Sequence, residues 1–446
     1  MIVMSLAEIA DVVGGVAHGD AQVTAPASLD SRAVDAGGLF AALAGEHVDG
    51  HDYVDAAISN GAAAALTSRP VGDAPVVVVD DVTTALGLLA RHVRDQLHTT
   101  VIAITGSQGK TSVKDLLTQV LAPSGPTVSP VGSYNNELGV PLTVLRADLE
   151  TTYLVVEMGA RGLGHIASLC RIAPPDVAVV LNVGRAHVGE FGSPDVTAQA
   201  KGEIVDALTT EGTAVLNADD ERVAAMAERT SGEVVTFGVG GDIALGEVRL
   251  DAAGEPHFTL SEVGTSVDVH VPQIGAHHAL NAAAVAATAL ALGIDLTTVA
   301  ARLDQAGARS PMRMARHVRG DGLVVIDDAY NANPESMAAA LHALAGVDRD
   351  RMVAVLGEML ELGDASHAAH VEVGRLAAEL GVDLVVAVGT GAAGIAEGAG
   401  ERATAVDDVD DAVRVLSAWL TPADVVLVKA SRDVRLERVT EALLEH

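Results

Sequence analysis

The chain has 446 residues, of which 49% are hydrophobic, and this length predicts two to four globular domains. Its 28 basic and 60 acidic residues give a formal net charge of −32. Because proteins that bind nucleic acid usually present a basic surface, this charge argues against a nucleic-acid partner and favours a highly soluble, cytoplasmic protein. Cys170 is the only cysteine, which excludes an internal disulfide. The sequence has no uninterrupted apolar stretch long enough to span a membrane and lacks the basic start of a signal peptide, so we expect no membrane insertion.

Strand-like and helix-like segments alternate along the chain, which predicts an α/β protein with mainly parallel sheets. In a first unit, residues 1–97, helices are predicted at "SLAEIADVVGG", "YVDAAISNGAAAAL" and "VTTALGLLARHVRDQL", and strands at "LFAALAG" and "APVVVVDD". A central unit, residues 98–308, contains predicted strands at "TTVIAIT", "TTYLVVEMG", "PDVAVVLNVG" and "GTAVLNADD", followed by the alanine-rich helix "GAHHALNAAAVAATALALG". A third unit, residues 309–446, repeats the strand-then-turn pattern and predicts a Rossmann-like sheet.

The stretch "VIAITGSQGKTSVKDLL" has the features of a phosphate-binding loop between a strand and a helix. The loop consists of Gly106, Ser107, Gln108, Gly109, Lys110, Thr111 and Ser112. Unpaired N–H groups at the start of a helix attract an anion, Lys110 adds a cation, and the Thr111 hydroxyl can ligate Mg²⁺. The full Walker pattern has glycine where this chain has Ile104, and an ordinary strand-to-helix turn is the alternative. We predict a nucleoside triphosphate site.

Polar residues follow the predicted strands of the central unit, at the edge where open α/β sheets bind ligands. Glu157 ends one strand beside the phosphate loop, a position suited to a metal ligand, and His187 follows the next strand on a glycine-flanked loop. Lys201 lies on a predicted helix, two residues before Glu203. Each residue also has an alternative interpretation. Glu157 could be a solvent-facing or helix-capping carboxylate, and His187 a surface histidine. Lys201 could form a surface ion pair with Glu203.

A series of motifs resembles the Mur ligase family of peptidoglycan synthesis, and the resemblance covers essentially the whole chain. In order, these motifs are "TGSQGKTSVKDLL", "GSYNNELGVPLTVL", "EMGARGLGHI", "LNVGRAHVGEFGS", "AKGEI", "NADD", "GAHHALNAAAVA", "SPMRM", "IDDAYNANPESM" and "LGEMLELGDASHAAH". The segment "LDSRAVDAGGLFAALAGEHVDGHDYV" resembles the uridine-nucleotide domain of the family, and "DAYNANPESM" with "LGEMLELG" favours a dipeptide-adding member. The resemblance implies three domains: an N-terminal uridine-nucleotide domain, a central ATPase domain, and a C-terminal Rossmann-like domain that binds the dipeptide and closes on ATP.

The resemblance also implies an activity. It is that of an ATP-dependent amide ligase, which adds D-Ala-D-Ala to UDP-MurNAc-tripeptide through an acyl phosphate and releases ADP and phosphate. ATP and Mg²⁺, with two ions expected, are the implied cofactors, and the protein is expected to be a monomer. The alternatives are a related Mur or folylpolyglutamate-type ligase with another acceptor, and an ATP-driven conformational switch protein. The uridine-type first unit argues against the folylpolyglutamate-type enzyme.

Residue roles are implied by the matching motifs. Lys110, Glu157, His187 and Lys201 are the implied catalytic residues, and Lys201 resembles a lysine that some members carbamylate. Thr111, Glu157 and His187 are the implied metal ligands. The implied ATP contacts outside the loop are Asn136, Asn281, Arg313 and Asp328. The implied uridine-diphosphate site contains Ser31, Arg32 and His51.

Overall fold

The predicted α/β architecture in three successive units is confirmed by a computed structural model, which describes residues 1–45, 48–184 and 193–445. Each unit has its own sheet, with strands up to Val78 in the first, from Thr100 to His270 in the second, and from Ala315 to Lys429 in the third. The unit boundaries after residues 97 and 308 stay predictions. In the described part of the chain, no helix combines the length and the apolar composition that a membrane span requires.

The first unit is a five-stranded sheet with a small two-stranded sheet beside it. Its strands are β1 (Met4–Ser5), β2 (Val16–His18), β3 (Gln22–Val23), β4 (Ala27–Ser28), β5 (Leu39–Ala41), β6 (Ala64–Thr67) and β7 (Val76–Val78). Its helices are α1 (Leu6–Val13), α2 (Val54–Ser59) and α3 (Val82–Asp95). The larger sheet has the order β2-β7-β6-β5-β4, antiparallel between β2 and β7 and parallel elsewhere.

The helix predicted for residues 53–66 is wrong in its second half. Helix α2 ends at Ser59, and the chain turns at Gly61, whose φ of 118° is strained for any residue with a side chain. Ala64 and Ala65 belong to strand β6, which is fully buried between β5 and β7. Burial and strand pairing therefore override the helix propensity of alanine.

The central unit has a ten-stranded sheet. Its strands are β8 (Thr100–Thr105), β9 (Thr127–Val128), β10 (Tyr153–Glu157), β11 (Val177–Val180), β12 (Thr213–Asn217), β13 (Glu233–Gly238), β14 (Ile243–Leu245), β15 (Arg249–Leu250), β16 (Pro256–Glu262) and β17 (Thr265–His270). Its described helices are α4 (Lys110–Leu121), α5 (Gly139–Val144), α6 (His165–Ile172), α7 (Pro194–Asp206), α8 (Glu221–Ala224), α9 (His277–Ala291) and α10 (Leu296–Leu303). The order is β15-β16-β14-β13-β12-β11-β8-β10-β9, with β17 paired to β16. The strands from β8 to β14 are parallel, and β15, β16 and β17 form an antiparallel edge that the sequence did not predict.

Strand β8 lies between β10 and β11, so the chain leaves it on one side of the sheet and later returns on the other. Such a switch point opens a crevice at the carboxyl ends of the strands. The phosphate loop begins where β8 ends, and Glu157 ends β10. The topology therefore brings the two motifs together.

The third unit has a six-stranded sheet. Its strands are β18 (Ala315–Val318), β19 (Val324–Asp327), β20 (Arg351–Gly357), β21 (Leu384–Val388), β22 (Ala403–Val406) and β23 (Asp424–Lys429). Its helices are α11 (Pro334–Ala345), α12 (Ser366–Glu379), α13 (Ala393–Ala399), α14 (Val409–Trp419) and α15 (Glu437–Glu445). The order is β18-β19-β23-β20-β21-β22, parallel except between β18 and β19.

The first and central units share one apolar core. Leu86, Leu89 and Val93 on α3 belong to the same buried cluster as Val140 and Val144 on α5. Each of these side chains is fully buried. Helix α3 is packed on the central unit in this way. It therefore holds the first unit next to the end of the central sheet that carries the phosphate loop.

Candidate active site

The phosphate loop is held in place by the neighbouring strand end. The side-chain oxygen of Asn182 accepts hydrogen bonds from the backbone N–H groups of Ser107, at 2.9 Å, and Gln108, at 3.0 Å. The N–H of Gly184 donates to the Ser107 hydroxyl at 2.8 Å. Gly109 has a φ of 83°, and a Cβ there would lie 2.7 Å from the side-chain oxygen of Asn281. The loop shape therefore depends on glycine at this position.

Lys110 begins helix α4, and its ammonium group lies inside the loop. Its Nζ donates to the carbonyl of Gly106 at 2.7 Å. Desolvation lowers the pKa of Lys110 and the nearby Glu157 carboxylate opposes that shift, while Arg313 adds to it. The arrangement aims a cation at the space that phosphate groups would fill.

Oxygen atoms gather beside the loop, where Mg²⁺ would be expected. The Thr111 hydroxyl lies 3.0 Å from Glu157 Oε2 and 2.8 Å from the Ser133 hydroxyl. Asn135 Nδ2 donates to Glu157 Oε1 at 2.8 Å, and Arg313 Nη2 donates to Ser133 Oγ at 3.0 Å. Hydroxyl and carboxylate oxygens are the ligands that Mg²⁺ prefers, so this donor set fits the ion. Ser133 and Asn135 were not predicted, although both lie in the quoted motif "GSYNNELG". His187 and its predicted metal contact lie outside the described residues.

Lys201, on helix α7, is buried at the wall of the same space. It makes no hydrogen bond or ion pair within residues 1–45, 48–184 and 193–445. Burial, together with the charge of Lys110, lowers the pKa of Lys201 well below its ordinary value. The alternative of an ion pair with Glu203 is not seen, because the Glu203 carboxylate accepts the N–H groups of Gly164 and Ala167 at the start of α6, at 2.5 and 2.9 Å.

The third unit completes the site with charged and aromatic groups. The Arg313 guanidinium lies 4.3 Å from the ring centre of Tyr330. Asp328 accepts a hydrogen bond from the N–H of Met314 at 3.2 Å and pairs with Lys429 Nζ at 2.5 Å. Lys429 is buried, and desolvation lowers its pKa despite this partner. Lys429 was not predicted, although it ends the apolar run "DVVLVK" that forms β23, and polar residues at such strand ends are candidates for a ligand site.

His277 is a further residue of the site that the sequence did not predict. It begins helix α9, one turn before Asn281. Burial lowers the pKa of His277 to about 4, so the ring is neutral at pH 7. His277 lies in the motif "GAHHALNAAAVA", four residues before the predicted ATP contact Asn281, and this position could have indicated that it belongs to the site.

One cleft contains nearly all of these groups. It has a volume of about 570 Å³, within the range of roughly 300–1,000 Å³ typical of small-molecule sites. The predicted residues that line it are Gly106, Ser107, Gln108, Gly109, Lys110, Thr111, Ser112, Asn136, Glu157, Lys201, Asn281, Arg313 and Asp328. Asn136 also has a structural part, since its side-chain oxygen accepts the N–H of Gly139 at the start of α5, at 2.9 Å.

A second pocket, lined mainly by the first unit and closed on one side by the central unit, adjoins the cleft. Ser31 and Arg32 line it, and it shares the wall residues Leu29, Tyr134 and Leu142 with the cleft. Arg32 is largely exposed and pairs with Asp30 at 2.8 Å. We call this space the first-unit pocket.

His51 is not among the residues that line the first-unit pocket. Its ring is buried, with Nδ1 at 2.6 Å from Asp49 and Nε2 accepting the N–H of Ser68 at 2.9 Å. The structure thus gives His51 a role in holding the neighbouring loop. The prediction that it contacts the uridine nucleotide gains no support from this position.

Comparison with known proteins gives matches along nearly the whole chain. Three family profiles match: "Mur ligase family, catalytic domain" at residues 27–94, "Mur ligase middle domain" at 104–289, and "Mur ligase, glutamate ligase domain" at 312–432. The UDP-N-acetylmuramoyl-tripeptide–D-alanyl-D-alanine ligase of Mycobacterium tuberculosis strain H37Rv is 45% identical over 100% of this chain and 98% of its own length. The enzyme of that name from Escherichia coli K12 is 37% identical, over 100% and 99%.

Solved structures give the same result. A crystal structure of MurF from Acinetobacter baumannii has a TM-score of 0.89 and 34% identity, over 100% of both chains. MurF ligase from Thermotoga maritima in complex with ADP has a TM-score of 0.81 and 31% identity, over 95% of this chain and 98% of that one. These full-length matches favour a dipeptide-adding ligase over the folylpolyglutamate-type enzyme and the switch protein. The chain therefore belongs to the Mur ligase family, as its motifs predicted.

Proposed function

We propose that this ligase uses ATP to join D-Ala-D-Ala to UDP-MurNAc-tripeptide, forming an amide bond in peptidoglycan precursor synthesis. One observation carries the proposal: the phosphate loop, a buried lysine and cationic residues of the third unit line a single cleft that adjoins the first-unit pocket. The relatives that match over their full length bear the name of this activity, and one was solved with ADP.

The chemistry requires that a carboxylate be activated before an amine can attack it. Transfer of the γ-phosphoryl group of ATP to the tripeptide carboxylate breaks the bond to ADP and forms an acyl phosphate. The amine of D-Ala-D-Ala then attacks the acyl carbon, loses a proton and displaces phosphate. Phosphoryl transfer depends mainly on positioning and on neutralising charge.

The cations of the cleft meet those requirements within a strongly acidic protein. Lys110 and the loop N–H groups would bind the β- and γ-phosphates, and Arg313 would approach from the third unit. Mg²⁺, when bound, supplies further positive charge at the phosphates. Thr111, Ser133 and Glu157 would hold it, and a second ion held by Glu157 and His187 remains part of the proposal.

Each unit would receive one substrate group. The uridine diphosphate would lie in the first-unit pocket near Ser31 and Arg32, with the peptide passing Leu29 and Leu142 toward the cleft. The dipeptide would bind where Tyr330, Asn331, Asn333 and Ser336 of "DAYNANPESM" line the cleft. The same proposal includes three further expectations. The units have the boundaries 1–97, 98–308 and 309–446, the protein is a monomer, and it is located in the cytoplasm.

Phosphate release from purified protein, ATP and Mg²⁺ tests this function. UDP-MurNAc-tripeptide and D-Ala-D-Ala are added separately and then together. We expect release only when both are present, with mass spectrometry showing the pentapeptide product. Release that ignores both substrates would favour the switch protein, and release that needs a different acceptor would favour another ligase.

A further inference from the structure

We propose that the antiparallel edge of the central sheet carries a binding site for Zn²⁺ or a similar borderline cation. The direct ligands are Asp251, Glu255, His257 and His270, and Asp304 orients one of the rings. These residues are outside both the cleft and the first-unit pocket, and the proposed ligation plays no part in the ligase reaction.

Strand pairing brings the two histidines together. His257 on β16 is the direct cross-strand partner of His270 on β17, so both side chains are on one face of the sheet. Their rings are stacked, with centres 4.5 Å apart and planes 16° apart. Two imidazoles held side by side form half of a tetrahedral zinc site.

One carboxylate approaches the Nε2 atom of each ring. His257 Nε2 lies 3.4 Å from Asp251 Oδ2, and His270 Nε2 lies 3.0 Å from Glu255 Oε2. Potential ligand atoms of Asp251, His257 and His270 all lie within 4.8 Å of one another. Zn²⁺ bonds of about 2.0–2.1 Å in a tetrahedron place ligand atoms roughly 3.4 Å apart, so Asp251, His257 and His270 are already close to the spacing that the ion needs. Glu255, which contacts His270, would turn toward the ion as the fourth ligand.

Asp304 supplies the supporting contact that zinc-binding histidines usually have. Its Oδ1 lies 2.8 Å from Nδ1 of His270, the ring nitrogen opposite the proposed ligand atom. A carboxylate in this position fixes the tautomer and the ring orientation of a ligating histidine. Asp304 directly follows helix α10, so the bound ion would tie the edge strands to the segment that leads into the third unit.

The ligand types select the class of ion. Imidazole suits Zn²⁺ and its neighbours, whereas Mg²⁺ prefers oxygen ligands alone. An open groove that includes His257, His270 and Asp304 gives the ion an entry path. The site is therefore distinguishable from the Thr111–Glu157 region by its preference for Zn²⁺ over Mg²⁺.

Calorimetric titration with Zn²⁺ in saturating Mg²⁺ tests the proposal on the full chain. We expect one Zn²⁺ per chain, at least tenfold weaker binding in His257→Gln, and roughly 10- to 100-fold weaker binding in Asp304→Asn. His257 is half-exposed, so its replacement should leave the fold intact, as circular dichroism will show. His367→Gln is the matched control, because His367 pairs only with Glu397 and belongs to no ligand cluster found among the described residues.

Thermal unfolding provides a second readout that does not depend on activity. A ligand that binds only the folded state raises its melting temperature. Zn²⁺ should therefore raise the melting temperature of the wild type and of His367→Gln, and raise that of His257→Gln much less. The proposal fails if no Zn²⁺ binds in saturating Mg²⁺, which would leave these groups as ion pairs only, or if His257→Gln binds Zn²⁺ as tightly as the wild type.

Discussion

The chain has only four lysines, Lys110, Lys114, Lys201 and Lys429, and their placement is informative. Lys110, Lys201 and Lys429 line the cleft, and Lys114 lies one turn beyond Lys110 on the same helix. Lys114, Lys201 and Lys429 are each at most 4% exposed. A buried ammonium group is costly unless it is paired. Lys114 and Lys429 each have a carboxylate partner at 2.5 Å, Asp115 and Asp328, whereas burial lowers the pKa of Lys201 and so favours its neutral amine.

We expect Lys110→Ala to abolish most ligation without unfolding the protein. The loss of a cation aimed at the transferring phosphoryl group should slow turnover by roughly a hundredfold or more. Steady-state phosphate release with both substrates measures the effect, and circular dichroism checks the fold. Near-normal turnover in the folded variant would rule out the assignment of the phosphate loop.

Lys201 is expected to react with CO₂ and form a carbamate. Carbamylation consumes the neutral amine, and burial, which lowers the pKa of Lys201 well below its ordinary value, increases the share of that form. The resulting anion would be stabilised by Lys110 and by Mg²⁺ nearby. The ion pair with Glu203, which was the alternative, is absent from the described contacts of Lys201 because Glu203 binds the start of α6.

Carbon-13 NMR with labelled bicarbonate gives a direct test, since only four lysines and the N-terminal amine can contribute signals. One carbamate resonance should appear in the wild type and vanish in Lys201→Arg. Lys201→Ala should be nearly inactive and partly rescued by acetate. An active Lys201→Arg, or an alanine variant that no short carboxylate rescues, would show that Lys201 acts as an ordinary cation.

Helix α4 connects the phosphate loop to the segment that enters the third unit. Its first turn holds Lys110 and Thr111, and the next turn holds the buried pair Lys114 and Asp115, with their charged atoms 2.5 Å apart. Asp115 accepts hydrogen bonds from the N–H of Ser310, at 2.8 Å, and from its hydroxyl, at 3.1 Å, while Lys114 Nζ donates to that hydroxyl at 3.0 Å. One helix therefore sets both the loop and the residues just before Arg313.

Ser310→Ala should lower the stability of the protein and raise its KM for ATP. It removes a buried hydroxyl with two charged partners, which should lower the free energy of unfolding by about 1–3 kcal/mol. Because Arg313 is three residues away, we also expect a higher KM for ATP. Ser417→Ala is the control, since its exposed hydroxyl donates to the Val413 carbonyl within α14, and its loss should change stability by less than about 0.5 kcal/mol. An unchanged KM for ATP in Ser310→Ala would separate this contact from the positioning of Arg313.

At the end of strand β19, Asp327 makes stability depend on pH. Burial, with added repulsion from Asp328, Glu437 and Glu441, raises the pKa of Asp327 to about 6 from an ordinary value of 3.8. The folded state therefore holds the proton more tightly, and this contribution to stability is complete below about pH 4 and is lost as the pH rises through 6. Asp327→Asn should thus be more stable than the wild type at pH 8, by up to about 3 kcal/mol, with little difference at pH 4.

Chemical denaturation at both pH values measures the effect. Asp321→Asn provides a control of opposite sign, because hydrogen bonds from Arg319 lower the pKa of Asp321 to about 2. An Asp327→Asn variant with the same stability difference at pH 4 and pH 8 would show that the carboxyl does not titrate as described.

The sequence predicts most of the fold because apolar runs that end in polar residues mark parallel strands, and it predicts much of the site because the loop motif dictates local geometry. Lys429, His277 and Ser133 were missed, since nothing in their immediate neighbours shows that distant segments meet around one cleft. Strand β6 was misread because burial between two strands depends on tertiary packing. The histidine pair on β16 and β17 was missed because only the strand register places the two rings together.

Across the whole molecule, the proposed ATP contacts are divided between two units, Lys110 and Asn281 in the central one and Arg313 and Asp328 in the third. In this structure the units touch around the cleft, with Arg313 bonded to Ser133 at 3.0 Å. ATP and the UDP-linked substrate must enter between these walls, so we expect the free protein to open and ligands to favour the closed form.

Small-angle scattering tests this closure. The radius of gyration should fall when nucleotide and UDP-MurNAc-tripeptide are both saturating, because only the closed form makes all contacts at once. Arg313→Ala removes one contact that joins the units, so its radius should fall less under the same ligand concentrations. Leu149 is an exposed side chain outside both pockets, and Leu149→Ala should close like the wild type. An unchanged radius in the wild type at saturating ligand would mean that binding does not require the third unit to move.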